Sequence, residues 1–468
     1  MKLETCEGII TINETKYSFY YNNKFITIFP KNPTSSWDDI EGLFCNSKKE
    51  KSFETLCGKS RAGNEIIFLN VKLKPYGRKI LKGFVPAYLI SHSNLINAPN
   101  AESFEEIIFR GDVIDKIYSP HNLIKKSSYD FENHVPILEF NSQKDIKKNT
   151  KLNDDSIYLT IKAISSGKAR TPPILLKSEL GIKFAIDKNI QEIKDYYKKI
   201  TQTLSFFFNR RYLKYERVML VRTIDVKYAI QNGNKVEYET RKEQQIYNLV
   251  INDKYQNTFD IGSITFDTEI FLNVFPKVYN IIDENMFSIL YYSKNKDDDI
   301  AFDHFQFMAT ASAFEGQFDL VYPEYKTRKK AKFSEVKNGL LAYIESQKEK
   351  ENAVGKKYLS SFESMIENCE GTLSEQLNYC LKVFNKAIEK NKQKLFVEFN
   401  ILNKSNNDIA MAFQNKRNSL MHTFLEQRYE PIEIVGYVLV KMLVYCLILK
   451  RAKLEENEII NIINSTFN

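Results

Sequence analysis

The sequence predicts an α+β protein in which a β-rich domain, residues 1–260, precedes an all-helical domain, residues 261–468. Short runs of β-branched and aromatic residues, separated by turn residues, fill the first half of the chain. Ten of the twelve prolines lie before residue 280 and none lies between residues 324 and 430, which favours long helices in the last third. A chain of 468 residues is also too long for one hydrophobic core.

Within the first domain, residues 1 to about 185 predict a mainly antiparallel β structure. The segments "INET" and "YNNK" interrupt strand-like runs and predict turns. A helix is expected over 187–211, with Asp187 as its N-cap and an apolar stripe that includes Ile193, Tyr197 and Ile200. Two strand-like runs then flank "QNGNK", whose Asn-Gly pair predicts a β-hairpin.

From residue 261 onward the apolar pattern is helical. Asp408 is the expected N-cap of the helix that carries "AFQNKRNSLMHTFLEQR". The run "IVGYVLVKMLVYCLIL", residues 434–449, has 16 residues and contains Lys441, whereas a membrane-spanning helix needs about 20 apolar residues. We therefore expect a buried core or subunit-interface helix there and no membrane partner.

The composition is that of a globular protein, with 43% hydrophobic and 27% charged residues. The net charge of +8 is compatible with a nucleic-acid partner and does not require one. The six cysteines form no C-x-x-C pair, and the N-terminus lacks the pattern of a signal peptide. These features predict a protein with free thiols in a reducing cytoplasm.

Common catalytic motifs are missing from the sequence. It contains no G-x-x-x-x-G-K-[ST], G-x-G-x-x-G, H-E-x-x-H or G-x-S-x-G pattern, so no cofactor and no metal are predicted. One pair of residues, Arg417 and His422, has the side-chain chemistry that RNA cleavage needs. A histidine can move protons near neutral pH, and an arginine can stabilise the charge that develops on a phosphate. Asn418 could bond the phosphate or hold the histidine.

The pattern alone does not establish a site. Positions five apart on a helix differ by about 140° around the axis and about 7.5 Å along it. About 0.4 pairs of this kind are expected by chance in a chain of this composition. A surface arginine beside a half-buried helical histidine therefore stays open as an explanation. Two copies facing each other across a two-fold axis would form a denser site.

The surrounding segments resemble a known family. "AFEGQFDLVYP" and "NDIAMAFQNKRNSLMHT" resemble the early helix and the R-N-x-x-x-H helix of HEPN domains of the ApeA-like branch. The preceding β-rich region resembles the ApeA N-terminal domain. The resemblance implies a HEPN helical bundle and a metal-independent endoribonuclease of bacterial anti-phage defence. Such nucleases dimerise, and their paired R-x4-6-H motifs form one composite site.

By this resemblance, Arg417 would bind and stabilise the scissile phosphate, His422 would act as general base or acid, and Asn418 would support both. Glu315 would either orient Arg417 or serve as a structural ion-pair partner. Asp319, one turn beyond Glu315 on the same helical face, is expected to be structural. The RNA is expected to be tRNA, the trigger phage-derived, and the assembly a homodimer or a higher homo-oligomer. The N-terminal domain is expected to restrain the nuclease until infection.

Basic residues elsewhere are candidates for holding an RNA backbone. They are Lys416, next to Arg417, and Arg328, Lys329 and Lys330 in the run "KTRKKAK". Such runs are also common on solvated surfaces. The segment "FFFNRRYLKYER" could form a stacking surface for bases, although three successive phenylalanines more often pack in a core.

Two rival functions remain. In the first, the helical domain is non-catalytic and binds a nucleotide or a partner protein, with Arg417 and His422 holding a phosphate or the dimer. In the second, the protein is a structural scaffold.

Overall fold

The computed structural model describes residues 4–31, 50–76, 80–91, 101–130, 135–141, 147–165, 174–232, 235–252, 264–282, 302–367, 372–422 and 428–467. The chain divides into two compact units. The β-rich unit comprises Met1–Lys198 and Lys214–Thr258, and the helical unit comprises Lys199–Leu213 and Phe259–Asn468. The predicted α+β class and its order along the chain are confirmed, but the short segment Lys199–Leu213 belongs to the helical unit.

The described residues of the β-rich unit form fifteen strands. Thirteen of them make one antiparallel sheet in the order β11-β12-β13-β8-β14-β15-β7-β5-β4-β1-β2-β3-β6, and β9 pairs with β10 separately. The strands are β1 Thr5–Ile12, β2 Thr15–Asn22, β3 Phe25–Pro30, β4 Lys51–Ser60, β5 Glu65–Pro75, β6 Leu81–Phe84, β7 Ala87–Ser91, β8 Ser103–Arg110, β9 Ile124–Asp130, β10 Val135–Phe140, β11 Lys148–Leu152, β12 Asp155–Ser165, β13 Ile174–Asn189, β14 Arg217–Asn232 and β15 Lys235–Ile251.

Six of these strands close into a barrel. The long strand β5 pairs with β4 along one edge and with both β6 and β7 along the other. Because β6 also pairs with β3, the ring β5-β4-β1-β2-β3-β6 is complete. Alternate residues of these strands point inward and fill the interior, among them Phe19, Tyr21 and Phe68.

The predicted turns join the first three strands of the barrel. Asn13 and Glu14 have φ values of 47° and 67°, and Asn23 and Lys24 have values of 42° and 82°. Two successive residues with positive φ define the type I′ turn, whose twist matches that of the flanking strands. The interpretation of "INET" and "YNNK" as turns is therefore confirmed.

One helix connects the two units along the chain. After the short helix α1 (Asp112–Ile117), helix α2 runs over Ile190–Phe208. Its cap differs from the expected one, because the Asn189 side chain accepts the backbone N–H groups of Gln191 and Glu192. Strand β13 continues through Asp187 up to Asn189, so the helix cannot start two residues earlier.

The sheet of the β-rich unit buries several charged groups. Arg110 pairs with Glu179, and both side chains are nearly inaccessible. On the predicted hairpin β14–β15, whose pairing is confirmed, the Arg222 guanidinium donates to Gln245 at 2.6 and 2.8 Å and to the Tyr247 hydroxyl at 3.1 Å. Tyr247 in turn donates to Glu65 on β5. Buried charges of this kind need such partners.

The helical unit contains the end of α2 and nine further helices among the described residues. They are α3 Thr268–Ile282, α4 His304–Val321, α5 Tyr325–Lys348, α6 Ala353–Glu367, α7 Leu373–Val383, α8 Asn385–Glu398, α9 Asn406–His422, α10 Pro431–Arg451 and α11 Glu456–Thr466.

Helix α10 is the centre of this unit. By length and composition it could cross a membrane, with a mean hydropathy of 2.2 over 18 residues, but 83% of that window is buried inside the protein. It packs against α4, α8, α9 and α11. The expectation of a core helix is therefore confirmed.

Phenylalanines 206–208, at the end of α2, are also fully buried, and Phe206 stacks on Tyr445 with ring centroids 4.4 Å apart. They form a core and not a stacking surface for bases.

Candidate functional site

Helix α9 begins with a capping box that differs from the predicted cap. The Ser405 hydroxyl accepts the backbone N–H of Asp408, and the Asp408 carboxylate accepts the backbone N–H and the hydroxyl of Ser405. Ser405 is therefore the N-cap and Asp408 the third residue of the helix. These bonds favour the charged carboxylate, so the pKa of Asp408 is lowered.

The buried face of α9 fixes the orientation of the helix. Ile409, Ala410 and Phe413 are inaccessible to solvent, and the Phe413 ring stacks on Phe307 of α4 with centroids 4.5 Å apart. The side chain of Gln414 accepts the backbone N–H of Ser374, at the start of α7, at 2.7 Å. Because α4 and α7 hold α9 on two sides, the direction of its remaining side chains is determined.

Arg417 lies at the edge of this buried face. Its Nη2 donates to a Glu315 oxygen of α4 at 3.4 Å, and its Nη1 donates to Asn418 Oδ1 at 3.3 Å. Both contacts are long, and the side chains of Arg417 and Glu315 keep 27% and 39% of their surface exposed. Within the described part of the chain, Arg417 Nε is buried and has no hydrogen-bond partner. The guanidinium is therefore positioned but only loosely paired.

His422 is the last described residue of α9, and the positions of Arg417, Asn418 and His422 all fall on this one helix. Asn418 and His422 are four residues apart and therefore share a helical face, while Arg417 lies about 100° from Asn418. Asn418 is exposed, as are Met411 and Asn415 along the same side of the helix. The side chain of His422 lies outside the described atoms, as do residues 423–427.

The structure gives Lys416 a different role from the expected one. Its side chain is 5% exposed, its ammonium forms an ion pair with Glu433 at 3.1 Å, and it donates to the backbone oxygen of Arg428 at 3.0 Å. The ammonium also lies 4.7 Å from the centre of the Tyr429 ring. Because a buried and paired ammonium cannot reach an RNA phosphate, the expectation of an RNA contact at Lys416 is wrong. Lys416 ties α9 to the start of α10.

The other sequence candidates are distributed over the helical unit. Arg328, Lys329 and Lys330 fall in the first turns of α5, and their side chains lie outside the described atoms, so their role in RNA binding stays a prediction. Asp319 is exposed on α4, one turn after Glu315.

Two groups that support the site were missed in the sequence. Gln414 and Glu433 belong to no sequence motif. Gln414 lies one helical turn before Arg417, and Glu433 lies in the first turn of α10. These positions are the only sequence signal that could have indicated them. A third contact nearby joins His304 Nδ1 to the Tyr429 hydroxyl at 2.6 Å. Burial is the main cause that raises the pKa of Tyr429, so this hydroxyl stays protonated at neutral pH.

The fold and the site together define a class: an α+β protein in which a closed β-barrel precedes a helical bundle with a partly exposed Arg–Glu–Asn cluster. Comparisons with protein-family models, with curated proteins and with solved structures found no match for this chain.

Proposed function

We propose that this protein is a metal-independent endoribonuclease of the HEPN type. The observation that carries the proposal is the state of Arg417, whose guanidinium is held in place by two long contacts and keeps part of its surface exposed, on the helix that also carries His422. An arginine that is positioned but weakly paired can exchange a carboxylate for a phosphate at small cost.

The chemistry needs only groups that this helix carries. The 2′-hydroxyl of a ribose attacks the adjacent phosphorus, and His422 accepts the hydroxyl proton as general base. Arg417 stabilises the negative charge that builds up on the non-bridging oxygens. The bond to the 5′-oxygen of the next nucleotide breaks, and that oxygen takes up a proton. The products are a 2′,3′-cyclic phosphate and a 5′-hydroxyl.

One histidine is not sufficient for both proton transfers. A second His422, supplied by another copy of the chain across a two-fold axis, would protonate the leaving 5′-oxygen while the first acts as base. The proposal thus includes a homodimer with a composite site. Asn418 supports the phosphate or the histidine, and Glu315 either orients Arg417 or serves as a structural ion-pair partner.

The biological role in this proposal is abortive anti-phage defence in the cytoplasm, with tRNA as the substrate. An unregulated ribonuclease would harm its own cell, so the β-rich unit is proposed to restrain it until a phage-derived trigger arrives. This part rests on the resemblance to ApeA-like proteins and on the two-unit organisation.

The test is RNA cleavage in the presence of EDTA. Wild type is expected to cleave tRNA or total RNA, and both Arg417→Ala and His422→Ala are expected to lose cleavage. Arg61→Ala is a matched control, because Arg61 also forms a surface ion pair with a glutamate, Glu7, at 2.7 Å. The proposal fails if wild type is inert where it is active in cells, or if the Arg417 variant cleaves as well as the Arg61 variant.

A second candidate is a non-catalytic module that binds a nucleotide or a partner protein. The observation that favours it is the existing contact between Arg417 and Glu315, since an arginine already facing a carboxylate can be purely structural. Here wild type and Arg417→Ala would both leave RNA intact, and Arg417→Ala would weaken the binding of a nucleotide measured by calorimetry.

A further inference from the structure

Helices α5 and α6 form a hairpin with a large apolar surface. Only four residues separate the two helices, so they run antiparallel, and Lys348 of α5 forms an ion pair with Glu363 of α6. Seven large apolar side chains on these helices are between 44% and 65% exposed. They are Val336, Leu340 and Tyr343 on α5, and Val354, Tyr358, Phe362 and Met365 on α6.

All seven side chains lie on one face of the hairpin. On α5 the less exposed residues, which include Leu341 and Ile344, mark the side that faces α6. Each exposed apolar residue comes one position earlier in the chain, so the exposed stripe points about 100° away from that side. On α6 the less exposed residues, which include Leu359 and Ile366, mark the side that faces α5. The exposed apolar residues again come one position earlier, about 100° away from that side. Equal offsets in two antiparallel helices point to the same side. We refer to these seven residues as the hairpin face.

The hairpin face carries no charge in its interior. Gln347 of α5 and Ser361 of α6 point to the same side as the apolar stripes, and both are neutral. Lys357 lies at the rim. In a two-fold interface each residue near the axis meets its own copy, so a central charge would repel itself. A face with an uncharged centre and a charged rim suits association with an identical face.

The size of the face also fits a second copy. Aromatic and large aliphatic side chains expose roughly 150–250 Å² when free, so seven of them at about half exposure present on the order of 800 Å². A standard stable interface buries about 800 Å² on each partner. An isolated apolar surface of this size is unusual on a monomer.

We propose that the hairpin face binds the hairpin face of a second copy of this chain, with four antiparallel helices meeting across a two-fold axis. This inference deepens the proposed pairing of two chains and takes its functional meaning from it. The hairpin joins α4, which carries Glu315, to α7, whose first residues contact Gln414 of α9. The hairpin thus lies in the chain between the two helices that hold α9.

Sedimentation of the full chain tests the interface without any RNA. Wild type is expected at twice the chain mass of 54.8 kDa. Tyr343→Glu and Tyr358→Glu are each expected to raise the dissociation constant by about 30-fold or more, since each removes a central aromatic and buries a charge. Tyr238→Glu is the matched control, because Tyr238 of the β-rich unit is 72% exposed against 65% for Tyr358.

A charge pairing tests whether two identical faces meet. Phe362→Glu and Phe362→Lys are each expected to be monomeric alone and to form a mixed dimer when combined, which requires the two faces to be in contact. The inference is overturned if wild type is monomeric at every protein concentration, whether or not it binds vesicles of phosphatidylglycerol. It is also overturned by a dimer that Tyr358→Glu weakens no more than Tyr238→Glu.

The two proposals fail separately. A chain that dimerises through the hairpin face and never cleaves RNA contradicts only the nuclease. A chain that cleaves RNA and whose dimer is insensitive to Tyr343→Glu and Tyr358→Glu contradicts only the interface.

Discussion

Arg222 in the β-rich unit and Arg417 in the helical unit both face a glutamate, but their surroundings differ. Arg222 is 8% exposed and makes three hydrogen bonds of 2.6 to 3.1 Å to Gln245 and Tyr247. Arg417 is 27% exposed and makes two contacts of 3.3 and 3.4 Å, while its Nε has no partner within the described residues. Arg222 is held by a buried network of short hydrogen bonds, whereas Arg417 is held by long contacts at a partly exposed position. That difference supports the proposed role of Arg417 at a phosphate.

The largest expected effect is on stability, from removing the charge at Arg222. Arg222→Met leaves Glu65 and the hydroxyl of Tyr247 without their positive partner, and breaking a buried pair in this way costs about 3–5 kcal/mol. Urea-induced unfolding followed by circular dichroism measures the change in the free energy of unfolding. Arg417→Met is the matched variant and is expected to lose less than about 1 kcal/mol, as is usual for an exposed pair. Equal losses in the two variants would remove the distinction between the two arginines.

The second effect is on activity, at Arg417 itself. Arg417→Ala removes the charge that stabilises the transition state, and the rate of RNA cleavage is expected to fall about 100- to 1000-fold. Single-turnover cleavage of tRNA in EDTA measures this rate. Arg222→Met, assayed at a temperature where it is folded, should retain cleavage within about threefold, since it lies outside the site. If Arg417→Ala cleaves RNA at a rate close to that of wild type, the exposed guanidinium of Arg417 does not serve catalysis.

The third effect separates the two roles left open for Glu315. If Glu315 orients Arg417, Glu315→Gln keeps a hydrogen bond but weakens the hold on the guanidinium, and cleavage should fall about tenfold, or 1.4 kcal/mol in the barrier. The pair is exposed, so the free energy of unfolding should change by less than about 1 kcal/mol.

Asp319→Asn, one turn further on α4, is the control for Glu315→Gln and should cleave as wild type does. A stability loss without any loss of cleavage in Glu315→Gln would instead identify a structural ion pair.

Local patterns predicted much of the fold. Turn residues located the first two hairpins, the Asn-Gly pair located the β14–β15 hairpin, and the apolar run at 434–449 located the core helix. Closure of the barrel was not predictable, because it depends on β5 pairing with the four-residue strand β6 as well as with β4 and β7. The residue pattern of a single strand does not indicate with which distant strands it pairs.

The candidate site shows the same limit. Helical spacing placed Arg417, Asn418 and His422 on one helix, and the structure confirms this placement. The contact between Arg417 and Glu315 joins residues 102 positions apart, and only the family resemblance suggested it. The burial of Lys416 could not be predicted from the sequence, because it depends on the ion pair with Glu433 of α10, a residue 17 positions away.

The smallest expected effect concerns the cap of α9. The pKa of Asp408 is lowered mainly by the hydrogen bonds from Ser405, so the charged carboxylate stabilises the folded state above the unfolded pKa of about 3.9, and this contribution is lost as pH falls through the lower folded pKa. Asp408→Asn mimics the protonated form permanently. Its melting temperature should therefore lie below that of wild type at pH 7, and the gap should close at pH values under 4.

The control for this cap is Asp187→Asn, the position where the sequence suggested a cap and where Asn189 performs that role instead. It should leave the melting temperature unchanged at every pH. A gap between wild type and Asp408→Asn that is independent of pH would mean that the shape of the side chain, and not its charge, fixes the start of the helix that carries Arg417.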